Sequence, residues 1–217
     1  ANMNKLYVHL VVLPRWFAAP AAICAVVLGC ILGRVPLLPS VLAVVAGLFL
    51  MAWAHSMNAF LDYVWTGFDK GTEEERSRPK SYTAGQQPIA SGLMKPAEVL
   101  FSACIWLFLS VVFTVPLAMS TPLIWIPWAL VAACTFFYSW GKLHYLCELA
   151  LGLGFGSFAV AYGMAASTRP DLLKAFLAGL PFLVLWGFTA EFIDQATDAE
   201  ANWPRGLRNL GALAWKN

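Results

Sequence analysis

Long apolar stretches separated by short groups of charged residues dominate this chain. Five stretches carry no charged residue: 16–33, 35–61, 99–141, 149–168 and 175–190. A membrane-spanning helix needs about 20 mostly apolar residues, and the third stretch is long enough for two. Ser120-Thr121-Pro122 interrupts that stretch, which favours a helical hairpin. The pattern predicts six spanning helices, at roughly residues 10–33, 38–61, 97–119, 122–141, 145–167 and 172–193.

The composition excludes the usual soluble classes. Of the 217 residues, 60% are apolar and 12% charged, whereas an ordinary globular protein has about a quarter charged residues. The net charge of +2 offers no basic field for nucleic acid, and the alternating strands of a membrane β-barrel are not visible. We therefore expect an all-α fold, a polytopic transmembrane helical bundle, with residues 1–217 forming one membrane-embedded domain.

Lysine and arginine positions predict the orientation of this bundle. Cytoplasmic loops of membrane proteins carry an excess of both residues. If the N-terminus is cytoplasmic, all the Lys and Arg residues fall on the cytoplasmic side except Arg34, Arg169 and Lys174. The first span is long and lacks a clear small-residue cleavage site after it, so it does not resemble a signal peptide. The sequence predicts a multi-pass protein with a cytoplasmic N-terminus.

Acidic and amide side chains form two clusters at the cytoplasmic ends of the second and sixth spans. The first cluster is Asn58, Asp62 and Asp69, and the second is Glu191, Asp194 and Asp198. Spacings of three and four residues place side chains on one face of a helix, although Gly67 interrupts the path to Asp69. Because carboxylates are costly near a bilayer, two such faces on one side predict a functional site. The alternative is that both are solvated helix ends near the headgroups.

The chemistry of the two clusters suits a divalent cation and a diphosphate. Mg²⁺ prefers oxygen ligands and is usually bound through one or two carboxylates together with substrate phosphates. Basic residues on the same side would stabilise the phosphate charge. The candidates for this role are Arg15, Arg78, Lys80 and Lys142. For Arg15 and Lys142 the alternative is an anchoring role at the membrane surface.

These residues resemble the motifs of the UbiA superfamily of intramembrane prenyltransferases. Asn58 and Asp62 match the start of an NxxxDxxxD-type motif after the second helix, and Asp194 and Asp198 match a DxxxD-type motif after the sixth. Weaker similarities to the family occur at residues 14–16, 87–96 and 137–148, in the order in which family members have them. Where the first motif would have its second aspartate the chain has Thr66, and the next acid is Asp69. This placement is most similar to the menaquinone-pathway branch, which prenylates dihydroxynaphthoate.

The resemblance implies an activity, a cofactor and partners. The activity is transfer of an isoprenyl group from a polyprenyl diphosphate to an aromatic or lipid-soluble acceptor within the membrane lipid, with Mg²⁺ as cofactor and a place in quinone biosynthesis. The implied catalytic residues are Asp62, Asp194 and Asp198. The implied metal ligands are Asn58, Asp62, Asp69, Glu191, Asp194 and Asp198. The implied diphosphate-binding residues are Asn58, Arg15, Arg78, Lys80 and Lys142. Family members typically have nine helices, so we expect the last three to be missing from this chain.

Two other functions stay open at this point. A UbiA-type membrane terpene cyclase would use the same clusters without a second substrate. A cation-coupled transporter would instead place its acids near the bilayer midplane, on interrupted helices.

Three further features of the spans raise structural questions. His55 lies one turn before Asn58 and would shape the acceptor site, take a proton, or be a structural histidine. Glu148 lies inside the fifth span, where a carboxylate needs a partner or a cavity. The glycines of residues 152–156 suggest close helix packing rather than a nucleotide-binding loop.

Overall fold

Six long helices form the structure, a computed structural model that describes residues 5–68 and 88–216. Within those residues it contains no β-strand. In the described part of the chain, six helices are long and apolar enough to cross a membrane: α1 (Lys5–Leu32), α2 (Leu37–Val64), α3 (Pro96–Ser120), α4 (Pro122–Gly141), α5 (Cys147–Ala165) and α6 (Leu172–Ala196). A short helix, α7 (Leu210–Lys216), follows them. The predicted all-α membrane bundle is confirmed.

Helix α1 is broken near its start, beside a proline. A π-helical turn at Val8–Val12 and a 3-10 turn at Trp16–Ala18 flank Pro14, and the long stretch of regular α-helix is Ala19–Leu32. Proline has no N–H and its ring clashes with the preceding turn, so it interrupts a helix. Arg15 follows with a φ of 52°, in the left-handed region. The break sets Arg15 apart from the rest of the helix.

Helix α5 is at the centre of the bundle. In its most apolar segment 72% of the residues are buried, against 17–33% for the other five spans. It crosses α1 at two glycines: a Cβ atom on Gly29 would lie 2.0 Å from the Val160 carbonyl oxygen, and one on Gly163 would lie 2.1 Å from the Val26 carbonyl oxygen. Such contacts require the absence of a side chain, because the two backbones touch.

Glycines also set the contact between α5 and α6. A Cβ atom on Gly152 would lie 2.6 Å from the Leu183 carbonyl oxygen, and one on Gly156 would lie 2.7 Å from the Leu183 amide nitrogen. The packing role predicted for these glycines is confirmed. The close approach brings α6, with its acidic end, directly against α5.

The segment after α6 folds back onto the same end of the bundle. The helix of α6 continues past the span as Phe192–Asn202, a 3-10 turn follows at Trp203–Arg205, and α7 then returns. Gly211 of α7 packs so tightly that a Cβ atom there would lie 2.3 Å from the Phe192 carbonyl oxygen. The segment therefore lies against the helix that carries the second acidic cluster.

Candidate active site

A cavity of about 360 Å³ lies between α1, α2, α4, α5 and α6. This volume is in the range of small-molecule sites. Most of its lining is apolar, and it extends along α2 from Asn58 to Gly47, about three helical turns or roughly 16 Å. The large polar residues that line it are Arg15, His55, Asn58, Tyr138, Glu191 and Asp194. Because Asn58, Tyr138, Glu191 and Asp194 lie near the C-terminal ends of their spans, the cavity has a polar end and an apolar depth.

Both predicted clusters contribute to the polar end of this cavity. Asn58 is buried on α2, and its Oδ1 accepts a hydrogen bond from Ser139 Oγ at 3.1 Å. Glu191 is buried on α6, where the π-helical turn Trp186–Glu191 ends. Asp194 follows one turn later and is half-buried. The structure thus brings Asn58 together with Glu191 and Asp194 around one hollow.

The Glu191 carboxylate is held through one of its two oxygens. Tyr138 OH and Gln195 Nε2 both donate to Oε1, each at 2.7 Å. Both donors come from helix ends, since Tyr138 is in the last turn of α4 and Gln195 lies four residues after Glu191 on α6. The carboxylate is therefore fixed by two neighbours, of which Tyr138 also lines the cavity.

Asp62 has a different environment from the other predicted ligands. It is buried one turn after Asn58 and is not among the described residues that line the cavity. Its Oδ2 accepts a hydrogen bond from Lys142 Nζ at 2.6 Å, and the two side chains are only 5% and 9% exposed. The Lys142 ammonium also lies 4.6 Å from the centre of the Tyr138 ring. Two predicted site residues are thus bonded to each other, beside the cavity.

Of the remaining predicted site residues, the structure describes only some. Arg15 is half-buried and reaches the cavity from the break in α1. Helix α2 ends at Val64, and Gly67 follows with a φ of 74°, so the helical face that carries Asn58 ends before Gly67. The predicted residues outside the described part of the chain are Asp69, Arg78 and Lys80. Asp198 is on the helix Phe192–Asn202, one turn after Asp194, and its side chain is not described.

Sequence reasoning missed Tyr138, Gln195 and Asn209 as members of the site. Tyr138 and Gln195 carried a usable signal, because Tyr138 lies four residues before Lys142 and Gln195 four residues after Glu191, the spacing of neighbours on a helix face. Asn209 carried no such signal. Its Nδ2 donates to Gln195 Oε1 at 2.8 Å only because α7 folds back.

The buried carboxylate of Glu148 has its partner in the returning segment. Its Oε1 accepts hydrogen bonds from the backbone N–H groups of Leu210 at 2.7 Å and Gly211 at 3.2 Å, and Cys147 Sγ donates to Oε2 at 3.3 Å. The expectation of a partner for Glu148 is confirmed. This residue attaches α7 to α5 and is not among the described cavity-lining residues.

His55 lines the cavity beside Phe155. The two ring centres are 5.8 Å apart, and within the described residues His55 Nε2 is buried with no hydrogen-bond partner. A buried polar atom without a partner reduces stability, so His55 contributes less to the stability of the fold than a hydrogen-bonded histidine would.

The oxygen atoms around the cavity suit a hard cation whose remaining ligands come from a bound substrate. Among the described residues, no group of three or more His, Cys, Asp and Glu side chains is close enough to hold a metal. The cavity instead offers two carboxylates and one carboxamide from α2 and α6. Mg²⁺ is usually bound in this way, with phosphates and water completing its shell, rather than in an all-protein cage.

Comparison with known proteins identifies a solved structure with a similar fold. No protein-family model and no curated protein matches the sequence. The structure is similar to that of a UbiA homolog from Archaeoglobus fulgidus bound to DMAPP and Mg²⁺, with a TM-score of 0.68 and 18% sequence identity over 96% of this chain and 69% of that chain. At this identity the similarity concerns the fold. The chain therefore has the helical membrane fold of a UbiA homolog.

Proposed function

We propose that this chain is a Mg²⁺-dependent prenyltransferase of the UbiA superfamily. It would transfer an isoprenyl group from a polyprenyl diphosphate to an aromatic acceptor inside the membrane, with residues 1–217 acting as a single domain. The observation that carries the proposal is the cavity shared by Asn58, Glu191 and Asp194, which combines a polar end with an apolar depth. The similar UbiA homolog, which binds DMAPP and Mg²⁺, supports it.

The shape of the cavity matches the two halves of a prenyl diphosphate. An isoprenoid tail is apolar and would occupy the hollow that extends along α2 towards Gly47. The diphosphate would stay at the polar end, close to Arg15 and Asn58. By the distribution of Lys and Arg, we place this polar end on the cytoplasmic side of the membrane.

Mg²⁺ would be held by Asn58, Glu191 and Asp194, all of which line the cavity. When bound, it would neutralise the diphosphate and make it a better leaving group. The sequence motifs add Asp62, Asp69 and Asp198 to this set as proposed ligands. Asp62 would take part only if its bond to Lys142 Nζ were exchanged or shared.

The reaction would break the bond between the allylic carbon and the diphosphate oxygen, and the electron pair of that bond would leave with the diphosphate. The Arg15 guanidinium would balance the departing charge at the cavity end. Lys142 would do so from beside Tyr138, and Arg78 and Lys80 are proposed for the same role from the sequence. An electron-rich carbon of the acceptor would then attack the allylic cation, and the acceptor ring would lose a proton.

The apolar lining protects the cation during this step. Water would capture an allylic cation and give an alcohol, so the reacting carbon needs a dry cavity. Ala54 of α2 lines the hollow one turn from Asn58, Phe155 of α5 lines it beside His55, and Leu50 and Met51 line it further in. These residues would exclude water from the place where the new carbon–carbon bond forms.

The acceptor we propose is a dihydroxynaphthoate-type aromatic acid. It rests on the similarity of the segment from Asp62 to Asp69 to the menaquinone-pathway branch. Such an acceptor would enter next to the diphosphate, where His55 lines the cavity.

Product analysis with the full chain tests the proposed function. The protein would be reconstituted in nanodiscs and incubated with a polyprenyl diphosphate, Mg²⁺ and a panel of aromatic acids that includes dihydroxynaphthoate. We expect a prenylated acid and released diphosphate, both abolished by EDTA. A cyclised hydrocarbon formed without any acceptor would indicate a terpene cyclase instead. Absence of diphosphate release under all these conditions would contradict both.

A further inference from the structure

Three consecutive residues at the start of α7, Arg208 to Leu210, are bonded to three different parts of the site. The Arg208 N–H donates to the Lys142 carbonyl oxygen at 2.5 Å. The Asn209 side chain donates to Gln195, and the Leu210 N–H donates to Glu148 Oε1. Lys142 in turn holds Asp62. The returning segment therefore contacts both sides of the candidate site, although none of its residues lines the cavity among those described.

Asn209 has a fixed orientation because both ends of its amide are used. It is fully buried. Its Oδ1 accepts the N–H of Ala212 at 2.8 Å, in the first turn of α7, as the side chain of a residue just before a helix commonly does. Only its NH₂ group is then left to face Gln195. Since an amide NH₂ can donate but not accept, the Gln195 oxygen must be the acceptor of this bond, at 2.8 Å.

The orientation of Gln195 follows from that of Asn209. With its oxygen bonded to Asn209, its NH₂ group faces the Glu191 carboxylate and donates to Oε1 at 2.7 Å. Tyr138 OH donates to the same oxygen. Within the described residues no donor reaches the second oxygen, Oε2. One carboxylate oxygen is therefore bonded to protein, and the other is available to a ligand of the cavity.

We propose that Asn209 and Gln195 are positioning residues for Glu191, which would orient its Oε2 as a cation ligand. This inference rests on the proposed function, because it assigns Glu191 to the cation that accompanies the diphosphate. Residues that hydrogen-bond to a metal ligand commonly change metal affinity or activity 10- to 100-fold when they are replaced. Neither Asn209 nor Gln195 touches the substrate in this scheme.

Two substitutions at Asn209 separate positioning from a structural role. Asn209→Ala removes both the bond to Ala212 and the bond to Gln195. Asn209→Asp keeps an acceptor for the Ala212 N–H but loses the donor, so the Gln195 NH₂ group would turn to the new carboxylate and present its oxygen to Glu191. A structural role predicts that both variants lose stability, but that the folded protein binds the cation like the wild type. The positioning role predicts that both variants lose cation binding.

The experiment measures Mn²⁺ binding by electron paramagnetic resonance, with inorganic diphosphate present, on the full chain in detergent. Turnover and the midpoint of thermal unfolding are measured on the same samples. We expect Asn209→Asp and Gln195→Met to weaken Mn²⁺ binding by the folded protein about tenfold or more. Asn209→Asp should also lower the unfolding midpoint, because it places a carboxylate at a fully buried position. The control is Trp215→Phe, on the exposed side of α7, which should change neither quantity.

The possible outcomes distinguish this inference from the proposed function. If the wild type binds Mn²⁺ and turns over but Asn209→Asp and Gln195→Met match it, the positioning role is wrong and the prenyltransferase assignment stands. If the wild type neither binds Mn²⁺ with diphosphate nor turns over, both are wrong. Should Asn209→Asp fold poorly, Gln195→Met decides alone, because it keeps the length of the side chain and removes only the amide.

Discussion

The Lys142 ammonium lies 2.6 Å from Asp62 Oδ2, joining the end of α2 to the loop between α4 and α5. The residues are 80 positions apart in the chain. Both side chains are almost completely buried, so neither charge is stabilised by bulk water. In such a pair each charge depends on the other, and removing one partner leaves a buried charge without compensation.

Breaking this ion pair should destabilise the protein, and removing both charges should restore part of the loss. We expect Lys142→Met to lower the free energy of unfolding by about 3–5 kcal/mol, because it leaves the Asp62 carboxylate buried and unpaired. The double variant Asp62→Asn/Lys142→Met should recover much of that stability without recovering turnover. Thermal unfolding in detergent, followed by tryptophan fluorescence, measures the difference. Equal midpoints for the wild type and Lys142→Met would contradict the buried pair.

Replacing the cavity carboxylates should affect turnover more than stability. Asp194→Asn and Glu191→Gln keep the size of the side chain and remove the charge that the proposed cation requires. We expect turnover to fall about 100-fold or more, with partial recovery at high Mg²⁺ concentration. For Asp194, which is half-buried, the loss of stability should be smaller than for Lys142→Met.

The matched control for these variants is Asp171→Asn. Asp171 lies at the opposite end of the same helix, where its side chain accepts the Lys174 N–H, and asparagine can keep that bond. Its turnover should equal that of the wild type. Wild-type turnover in both Asp194→Asn and Glu191→Gln would remove these residues from the proposed site.

The spans were predictable because charged residues delimit long apolar windows. The predicted starts and ends agree with α2 to α6 within a few residues. Helix α1 begins at Lys5 rather than near residue 10, because helix continues through the more polar residues before the apolar window. The break at Pro14 and Arg15 was not predicted, although proline is the residue expected to cause it.

The candidate site was most predictable where its residues are neighbours on one helix. Helical spacing identified Asn58 with Asp62 and Glu191 with Asp194, and their ligand roles remain predictions. The partner of Asp62 depends on how α4 packs beside α2, and the partner of Gln195 depends on the return of α7. Both contacts join residues from different elements, so neither is encoded in a local pattern.

Glycine contacts between α1 and α5 should be intolerant of even a methyl group. We expect Gly163→Ala to cost about 1–3 kcal/mol of stability, because the added Cβ would lie 2.1 Å from the Val26 carbonyl oxygen, a backbone atom that cannot rotate away. Gly47→Ala is the control, since its Cβ would meet only a methyl carbon of the Val26 side chain, at 3.2 Å. Thermal unfolding should rank the two variants in this order, and the reverse order would contradict the packing.

The predicted orientation can be measured with single cysteines on opposite sides of the bundle. Arg34, between α1 and α2, and His144, between α4 and α5, are both exposed. In a background without the native cysteines, a membrane-impermeant maleimide should label Arg34→Cys in intact cells and His144→Cys only after the membrane is opened. This follows from the excess of Lys and Arg on the side of His144. The opposite labelling pattern would reverse the topology.

The apolar depth of the cavity should limit the length of the prenyl chain. Met51 lines the cavity seven residues before Asn58 on α2, which places it roughly 10 Å from the polar end. A five-carbon prenyl group, with bonds of about 1.5 Å, is too short to reach Met51, whereas a polyprenyl tail must pass it. Met51→Trp should therefore raise the KM for polyprenyl diphosphates and leave the KM for dimethylallyl diphosphate almost unchanged.

The control for this substitution is Val41→Phe, on the same helix but half exposed on its outer surface. It adds an aromatic ring without entering the cavity, so both KM values should stay at the wild-type level. The decisive quantity is the ratio of the two KM values, because a general loss of folding would lower turnover with both substrates and leave that ratio unchanged. An unchanged ratio in Met51→Trp would mean that the tail does not extend along α2, and the diphosphate would then have to enter the bundle from another direction.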